Sequence, residues 1–219
     1  MRLTIAEAED LCVRALRASN VSEASARSTA KALVNAEVDG QRGHGLSRIP
    51  SYSGQANSGK VDGHAVPSLS RPGTALIRVN AKSGFAYPAI DVACETLPTI
   101  AAVTGVASAC IYGSHHLGQA GAHAERLADA GLVAIVFSNS PKAINFWGGR
   151  EPMMGTNPIA FAAPRANAAP LVIDLALSKV ARGKILAAKN AGEKIPDSWA
   201  LNADGKPTDD PSEAMQGSM

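Results

Sequence analysis

The sequence is poor in aromatic residues and has no excess of charge of either sign. Four Phe, two Trp and three Tyr make up 4% of the 219 residues, which is too few to predict a platform for base stacking. Lys and Arg number 21 against 19 Asp and Glu, so the formal net charge of +2 creates no strong field for binding a polyanion. We therefore expect no nucleic-acid partner.

Cysteines and long apolar runs are also scarce. Cys12, Cys94 and Cys110 form no Cys-x-x-Cys pair and leave one thiol unpaired in any disulfide scheme, which favours a reduced compartment. No apolar run reaches the length of a membrane span, and the start MRLTIAEAED has acids where a signal peptide needs apolar residues. With 46% hydrophobic residues available for a core, the pattern predicts a globular cytoplasmic protein without a membrane partner.

The succession of apolar and polar segments predicts two domains. Apolar residues recur at helical spacing over residues 4–18, where Thr4 and Glu7 make a capping box, and again over residues 22–38. A connector rich in Gly, Ser, Pro and basic residues follows. We expect a helical amino-terminal domain with this connector at 1–73, and an α/β cofactor-binding domain, incomplete at its carboxyl-terminal end, at 74–219.

The second domain has the pattern of an α/β fold. Residues 106–112, 118–130 and 132–138 have the pattern of a buried strand, a helix and a second strand. Such a succession predicts a βαβ unit, whose two strands are parallel. The predicted sheet is mixed and partly parallel. The other predicted elements are strands at 74–79, 159–164 and 170–177, helices at 88–103 and 178–190, and a polar tail from Glu193.

The run RGHGLSRIPSY (42–52) contains the first candidate site. If the chain turns helical after Gly45, His44 and Arg48 project from neighbouring points of one surface. An imidazole exchanges a proton near neutral pH and a guanidinium holds a carboxylate bidentately, so the pair suits a small 2-oxo or 2-hydroxy acid. Spacing alone favours the plainer alternative, an exposed loop histidine beside an unrelated surface arginine.

The run GSHHLGQAG (113–121) lies between a predicted strand and helix, where parallel sheets bind ligands. Its glycine spacing matches neither the dinucleotide fingerprint nor the P-loop. His115 and His116 are adjacent, so if one faces a binding site we expect the other to face away; the alternative for either is a cap or a packed turn residue. The spacing of Cys and His predicts no metal site.

A segment of about twenty residues without periodicity, 138–158, separates two predicted strands, and loops of that length inside compact domains are usually functional. Phe146 and Trp147 are expected to plug the sheet. Asp174 lies inside the apolar strand LVIDLAL, where a carboxylate needs a partner: the start of the next helix, a histidine, or a cofactor group. Uncharged groups suited to orienting a carboxamide or sugar are Ser138, Asn139, Ser140, Thr156 and Asn157.

Together these segments resemble the malate/L-lactate dehydrogenase family of nicotinamide-dependent 2-oxoacid and imino-acid reductases, a group with a non-Rossmann fold. The resemblance rests on motifs that occur in the family's order and span nearly the whole chain. These motifs are RGHGLSRIPSY, SHHLGQAGAHAERLADAGLVAIVFSNS, WGGREPMMGTNPIAFAAP, VIDLALSKVARGKI and GEKIPDSWALNADGKPTDDP.

The resemblance implies hydride transfer between NAD or NADP cofactors and C2 of a small carboxylate-bearing 2-oxo, imino or 2-hydroxy acid, and a homodimer. It makes His44 a proton donor, gives His116 the acid/base role in some members, and makes Arg48 the carboxylate partner. We prefer His44 slightly over His116 because it is close to Arg48. The cofactor-contacting positions that it implies are Ser140, Thr156, Asn157, Asp174, Leu175 and Ala176.

Two departures from the family pattern qualify this expectation. Many members have Ser where this chain has Gly43, so a hydroxyl that relays a proton to His44 is absent. Members also continue past residue 219, and a polypeptide ending there is expected to be inactive because the cofactor site would lack a wall.

The alternatives are a non-catalytic binding member of the family and a histidine-dependent lyase or hydrolase. Lys179 and Arg182 are candidates for a 2′-phosphate contact, although a solvated helix face is the expected role.

Overall fold

A computed structural model describes residues 2–219. The helices are α1 (Ile5–Arg17), α2 (Glu23–Val38), α3 (Ile49–Asn57), α4 (Ala86–Thr104), α5 (Ala120–Asp129), α6 (Arg182–Ala191) and α7 (Pro211–Ala214). The strands are β1 (Ser68–Gly73), β2 (Leu76–Asn80), β3 (Ser108–Tyr112), β4 (Ala134–Phe137), β5 (Lys142–Asn145), β6 (Pro152–Gly155), β7 (Ile159–Arg165) and β8 (Ala168–Leu175).

The amino-terminal helices follow from local signals in the sequence. Thr4 and Glu7 form the predicted capping box of α1, and the Ser22 side chain caps α2 by accepting from the Ser25 amide. The two helices pack on each other around Leu16 and Leu33, which are fully buried. The connector contains a helix that periodicity did not predict, α3, whose first turn holds a proline.

The first sheet confirms the mixed, partly parallel α/β class. Its order is β1-β2-β3, with β1 antiparallel and β3 parallel to β2. The parallel pair is joined by α4, so the βαβ unit is β2-α4-β3 and the prediction that β3, α5 and β4 form one is wrong. Strand β4 lies in another sheet, of order β4-β7-β8. The prediction failed because the succession of a strand, a helix and a strand does not specify which strands pair. Strand β3 is also not buried, since its residues alternate between exposed and half-buried.

The long segment 138–158 is not a structureless loop. It contains the antiparallel pair β5-β6, which forms a two-stranded sheet. Phe146 and Trp147 lie between these strands and are exposed, with Trp147 fully accessible, so the predicted plug is wrong. The polar tail packs through α7, a pairing of Leu201 with Ser218, and a small core around Ile185.

Packing divides the chain into two compact units. One comprises the chain up to Ala134 with Ala162–Leu171, and the other comprises Ile135–Phe161 with Val172–Met219. The predicted boundary at residue 73 marks a change of sequence texture and stays a prediction. Every helix within residues 2–219 is too short or too polar to span a bilayer. Over the same residues no three or more His, Cys, Asp or Glu side chains are arranged to hold a metal ion.

Candidate active site

His44 and Arg48 lie on two consecutive 3-10 turns that connect α2 to α3. The Glu37 carboxylate holds this junction by accepting from the Leu46 amide at 3.1 Å. A Cβ at Gly45 would collide with that same carboxylate, so a side chain there would displace Glu37 from the junction. The Arg48 Nε–H donates to the Gly43 carbonyl oxygen at 2.5 Å, which holds the guanidinium on the turn that carries His44. The helical turn expected after Gly45 is therefore present.

His116, from the loop after β3, stacks on His44. The two ring centroids are 5.4 Å apart and the planes are inclined by 13°. The Gly118 amide donates to His116 Nδ1 at 3.1 Å, and the Tyr52 hydroxyl lies 3.0 Å from the same nitrogen. The fold thus brings together His44, Arg48 and His116, which are up to 72 positions apart in the chain. We call His44, Arg48, His115 and His116 the histidine cluster.

The surroundings of His116 keep its ring neutral. His116 is exposed as a residue, although Tyr52, the Gly118 amide and the ring of His44 cover part of its imidazole. Desolvation lowers the pKa of His116 to about 4, and the positive charge of Arg48 and the neighbouring rings of His44 and His115 act in the same direction. At pH 7 this ring is therefore an uncharged hydrogen-bonding group.

The adjacent His115 has a packing role, as expected for neighbours that face different ways. Its Nε2 lies 2.9 Å from Gln55 Oε1, and its ring meets those of Tyr52 and Phe85 edge-on at 4.9 and 5.6 Å. Burial lowers the pKa of His115, with smaller contributions from Lys60 and Arg48. His115 therefore packs the cluster against Gln55, Tyr52 and Phe85.

Two tyrosines that sequence reasoning missed lie under the histidines. The hydroxyls of Tyr52 and Tyr87 are 3.2 Å apart and both side chains are buried. The signal available for Tyr52 was its position four residues after Arg48, at the start of a helix, which puts both on one face. No local pattern in the sequence pointed to Tyr87 as part of the site. It packs against Gly118, whose φ of +75° favours glycine and where a Cβ would lie 2.6 Å from the Tyr87 hydroxyl.

The second compact unit contains a separate group of uncharged residues, Ser140, Gly155, Thr156 and Asn157, which we call the hydroxyl cluster. The Ser140 amide donates to Asn157 Oδ1 at 3.0 Å, and the Asn157 amide donates to Ser140 Oγ at 3.2 Å. The Ser140 and Thr156 hydroxyls are 3.0 Å apart. A Cβ on Gly155 would collide with the Ser140 carbonyl and lie 2.6 Å from Asn157 Oδ1, so only glycine fits inside this cluster.

Asp174, Leu175 and Ala176 continue toward the hydroxyl cluster. The Leu177 amide donates to the Thr156 carbonyl at 2.7 Å, which joins the end of this segment to the cluster. Asp174 is exposed, so the expectation of a carboxylate buried in an apolar strand is wrong. The apolar residues around it do not indicate burial, because Ile173 and Leu175 are also exposed.

The chain belongs to the malate/L-lactate dehydrogenase family, whose model matches residues 3–219. It is 52% identical over 217 residues to the (2R)-3-sulfolactate dehydrogenase (NADP(+)) of Chromohalobacter salexigens, covering 99% of this chain and 65% of that protein. It is 39% identical to a Delta(1)-pyrroline-2-carboxylate/Delta(1)-piperideine-2-carboxylate reductase of Pseudomonas putida, covering 99% and 64%. The chain thus spans slightly less than two thirds of the length of these relatives.

Solved structures give the same fold. A delta1-piperideine-2-carboxylate reductase from Pseudomonas syringae pvar. tomato superposes with a TM-score of 0.96 at 38% identity, over 100% of this chain and 66% of that one. A sulfolactate dehydrogenase from Methanocaldococcus jannaschii superposes with a TM-score of 0.89 at 30% identity, over 100% and 63%. The non-Rossmann dehydrogenase fold expected from the resemblance is therefore confirmed.

Proposed function

We propose that this protein is an NAD(P)-dependent oxidoreductase that acts at C2 of a small 2-oxo acid, cyclic imino acid or 2-hydroxy acid. The observation that carries the proposal is the stacked pair of His44 and His116 beside Arg48, in a chain whose relatives are named as dehydrogenases and reductases of such acids. A proton-transferring ring next to a carboxylate-binding cation is what reduction of these acids requires.

In the proposed mechanism Arg48 binds the substrate carboxylate through two parallel hydrogen bonds. The nicotinamide cofactor supplies the hydride for C2 when it is bound. His44 then delivers a proton to the oxygen or nitrogen on C2, and the product is a 2-hydroxy acid or an amino acid. In the reverse direction His44 accepts that proton.

The lowered pKa of His116 supports His44 as the proton donor. With a pKa of about 4, roughly one His116 ring in a thousand is protonated at pH 7. Such a ring is a poor source of a proton but a good neutral hydrogen-bond partner. We therefore assign proton donation to His44 and substrate orientation to His116.

The hydroxyl cluster is the proposed cofactor contact. Its donors and acceptors are uncharged, so this set fits the carboxamide or a ribose of a nicotinamide dinucleotide. Asp174, Leu175 and Ala176 are proposed to contact the same cofactor along their exposed segment. NADP(H) is proposed first because the sulfolactate relative is named for it. Arg182 is a weak candidate for a 2′-phosphate, since it already donates to the Met215 carbonyl.

We include a homodimer in the proposal because the resemblance implies it, and a cytoplasmic location because the three cysteines are free thiols. Sedimentation of the full-length protein tests its oligomeric state.

The decisive experiment follows the absorbance of NADPH and NADH while the full-length protein is given a panel of acids. The panel contains 3-sulfopyruvate, oxaloacetate, pyruvate, pyrroline-2-carboxylate and piperideine-2-carboxylate. We expect oxidation of reduced cofactor with at least one of them. Cofactor binding without any turnover would favour the non-catalytic alternative, and absence of cofactor binding would contradict both.

A further inference from the structure

The buried hydroxyls of Tyr87 and Tyr52 continue into the ring of His116. Tyr87 Oη lies 3.2 Å from Tyr52 Oη, which lies 3.0 Å from His116 Nδ1. The Gly118 amide donates to the same nitrogen at 3.1 Å. Two groups, the Tyr52 hydroxyl from α3 and the Gly118 amide from the loop after β3, therefore meet at one edge of the ring, and the Tyr87 hydroxyl from α4 contacts Tyr52 behind them.

The Gly118 amide fixes the direction of this chain of hydrogen bonds. A backbone N–H only donates, so His116 Nδ1 must present a lone pair and cannot carry a proton. The Tyr52 hydroxyl can then only donate to Nδ1, and its own oxygen accepts from the Tyr87 hydroxyl. The neutral His116 ring therefore carries its proton on Nε2, away from the two groups that donate to Nδ1.

The two tyrosines are rigidly held. Their side chains are 1% and 2% exposed, and the Tyr52 ring packs on Phe85 with centroids 5.5 Å apart. Burial raises the pKa of both hydroxyls, so both remain protonated donors throughout the physiological range. The missing side chain of Gly118 gives Tyr87 the space it occupies.

We propose that Tyr52, supported by Tyr87 and acting together with the Gly118 amide, is a positioning residue that holds His116 in its Nε2–H tautomer, so that Nε2 offers a hydrogen-bond donor to an oxygen of the substrate. The tautomer follows from the geometry, whereas its use in turnover rests on the proposed function. A ring free to adopt the other tautomer would present a lone pair to that oxygen and repel it.

Nitrogen NMR of the protein with 15N-labelled histidine tests the tautomer directly. The chain has five histidines, and the signals absent from the His116→Gln spectrum identify residue 116. At pH 7 we expect Nε2 to appear as a protonated nitrogen and Nδ1 as an unprotonated one. Tyr52→Phe removes one of the two donors to Nδ1 and leaves the Gly118 amide, so the Nδ1–H tautomer should become a minor species and the two shifts should move part of the way toward each other. In Tyr87→Phe they should move less. An Nδ1–H tautomer in the unmodified protein, or unchanged shifts in Tyr52→Phe, would overturn the proposal.

The third tyrosine is a matched control. Tyr112 is 39% exposed and its ring packs under the Arg78 guanidinium on the first sheet, so Tyr112→Phe should leave the His116 signals unchanged. If Tyr52→Phe does not fold, Tyr87→Phe carries the test, because it weakens the same chain without touching His116. Unchanged shifts in that variant would then overturn the proposal.

Steady-state kinetics distinguish the tautomer assignment of His116 from the proposed oxidoreductase function. We expect kcat/KM of Tyr52→Phe to fall about five- to tenfold, the loss of one orienting hydrogen bond, with Tyr112→Phe unaffected. Full activity together with mixed tautomers in Tyr52→Phe would show that the lock is irrelevant to turnover. A locked tautomer in a protein without any turnover would contradict the proposed function and leave the tautomer assignment intact.

Discussion

The histidine cluster and the hydroxyl cluster are built on opposite principles. The histidine cluster consists of ionisable rings and a guanidinium, and desolvation, assisted by the charge of Arg48, lowers the pKa values of His115 and His116. The hydroxyl cluster consists of uncharged groups whose backbone amides and side chains satisfy one another. The first arrangement suits groups that change protonation state, and the second suits a surface that holds a neutral ligand without changing.

This difference shows where each cluster is sensitive to mutation. Ring contacts and shifted pKa values depend on side-chain chemistry, so conservative substitutions in the histidine cluster should alter chemistry and spare folding. The hydroxyl cluster depends on close backbone approach at Gly155, so added volume there should alter folding and cofactor binding together. The following predictions test this separation, from the largest expected effect to the smallest.

Replacing His44 by Asn should have the largest effect. We expect kcat to fall by 10²- to 10⁴-fold, the usual contribution of a general acid, with little change in cofactor affinity. His116→Asn should be milder because the role proposed for His116 is to orient the substrate. Steady-state kinetics of both variants measure the difference. If His44→Asn retains near-full turnover with an unchanged pH profile, the assignment of the proton donor is wrong.

Replacing Arg48 by Met should raise KM about 10- to 100-fold, because one charge-assisted contact with the substrate carboxylate contributes about 1.5–3 kcal/mol. Arg48→Lys keeps the charge but not the bidentate geometry and should recover part of the loss. The cofactor Kd, measured by fluorescence titration, should not change. An equal loss of cofactor affinity would contradict the separation of the two clusters.

Replacing Gly155 by Ala should destabilise the protein by about 1–3 kcal/mol, since the new methyl group collides with the Ser140 carbonyl. Urea unfolding measures this cost, and the cofactor Kd should rise with it. Gly183→Ala is the control, because a Cβ at that position in α6 meets no atom within 4 Å. Equal stability of the two variants would show that the hydroxyl cluster tolerates extra volume.

The lowered pKa of His116 predicts a pH dependence of stability. Because the folded state holds this pKa near 4 while an unperturbed histidine titrates near 6.5, the unfolded chain binds the proton first. The free energy of unfolding should therefore fall as pH falls from about 6.5 to about 4 and should not depend on this group above that window. His116→Asn should flatten the slope, and the exposed His64→Asn serves as control. A slope that His116→Asn leaves unchanged would contradict the lowered pKa.

The smallest effect is expected for Gly43→Ser, which introduces the hydroxyl found in many family members. A Cβ at this exposed position would have no atom within 4 Å, so the free energy of unfolding should change by less than about 0.5 kcal/mol. A rise in kcat would indicate that the hydroxyl relays a proton to His44. A large loss of stability would show that the turn is more tightly packed than its contacts indicate.

The sequence predicted much of this molecule. The ends of α1 and α2 follow from caps a few residues away, and His44, Arg48 and His116 were identified by residue type and loop position. It failed for α3, for the β5-β6 pair and for the exposure of Asp174. In each case the local pattern had more than one solution: a polar helix has no apolar stripe, and an apolar strand does not reveal whether its faces are covered.

What the sequence alone determined is the set of chemical groups and the local turns that present them, because capping and glycine conformations depend on neighbours within a few positions. Only the tertiary structure decided which groups meet. Tyr52 contacts His116, which is 64 positions away in the chain, and it also contacts Tyr87, which is 35 positions away. No local spacing encodes either contact. Pairing of β2 with β3 and packing of α3 against the core bring these side chains together, and burial there changes their proton affinities.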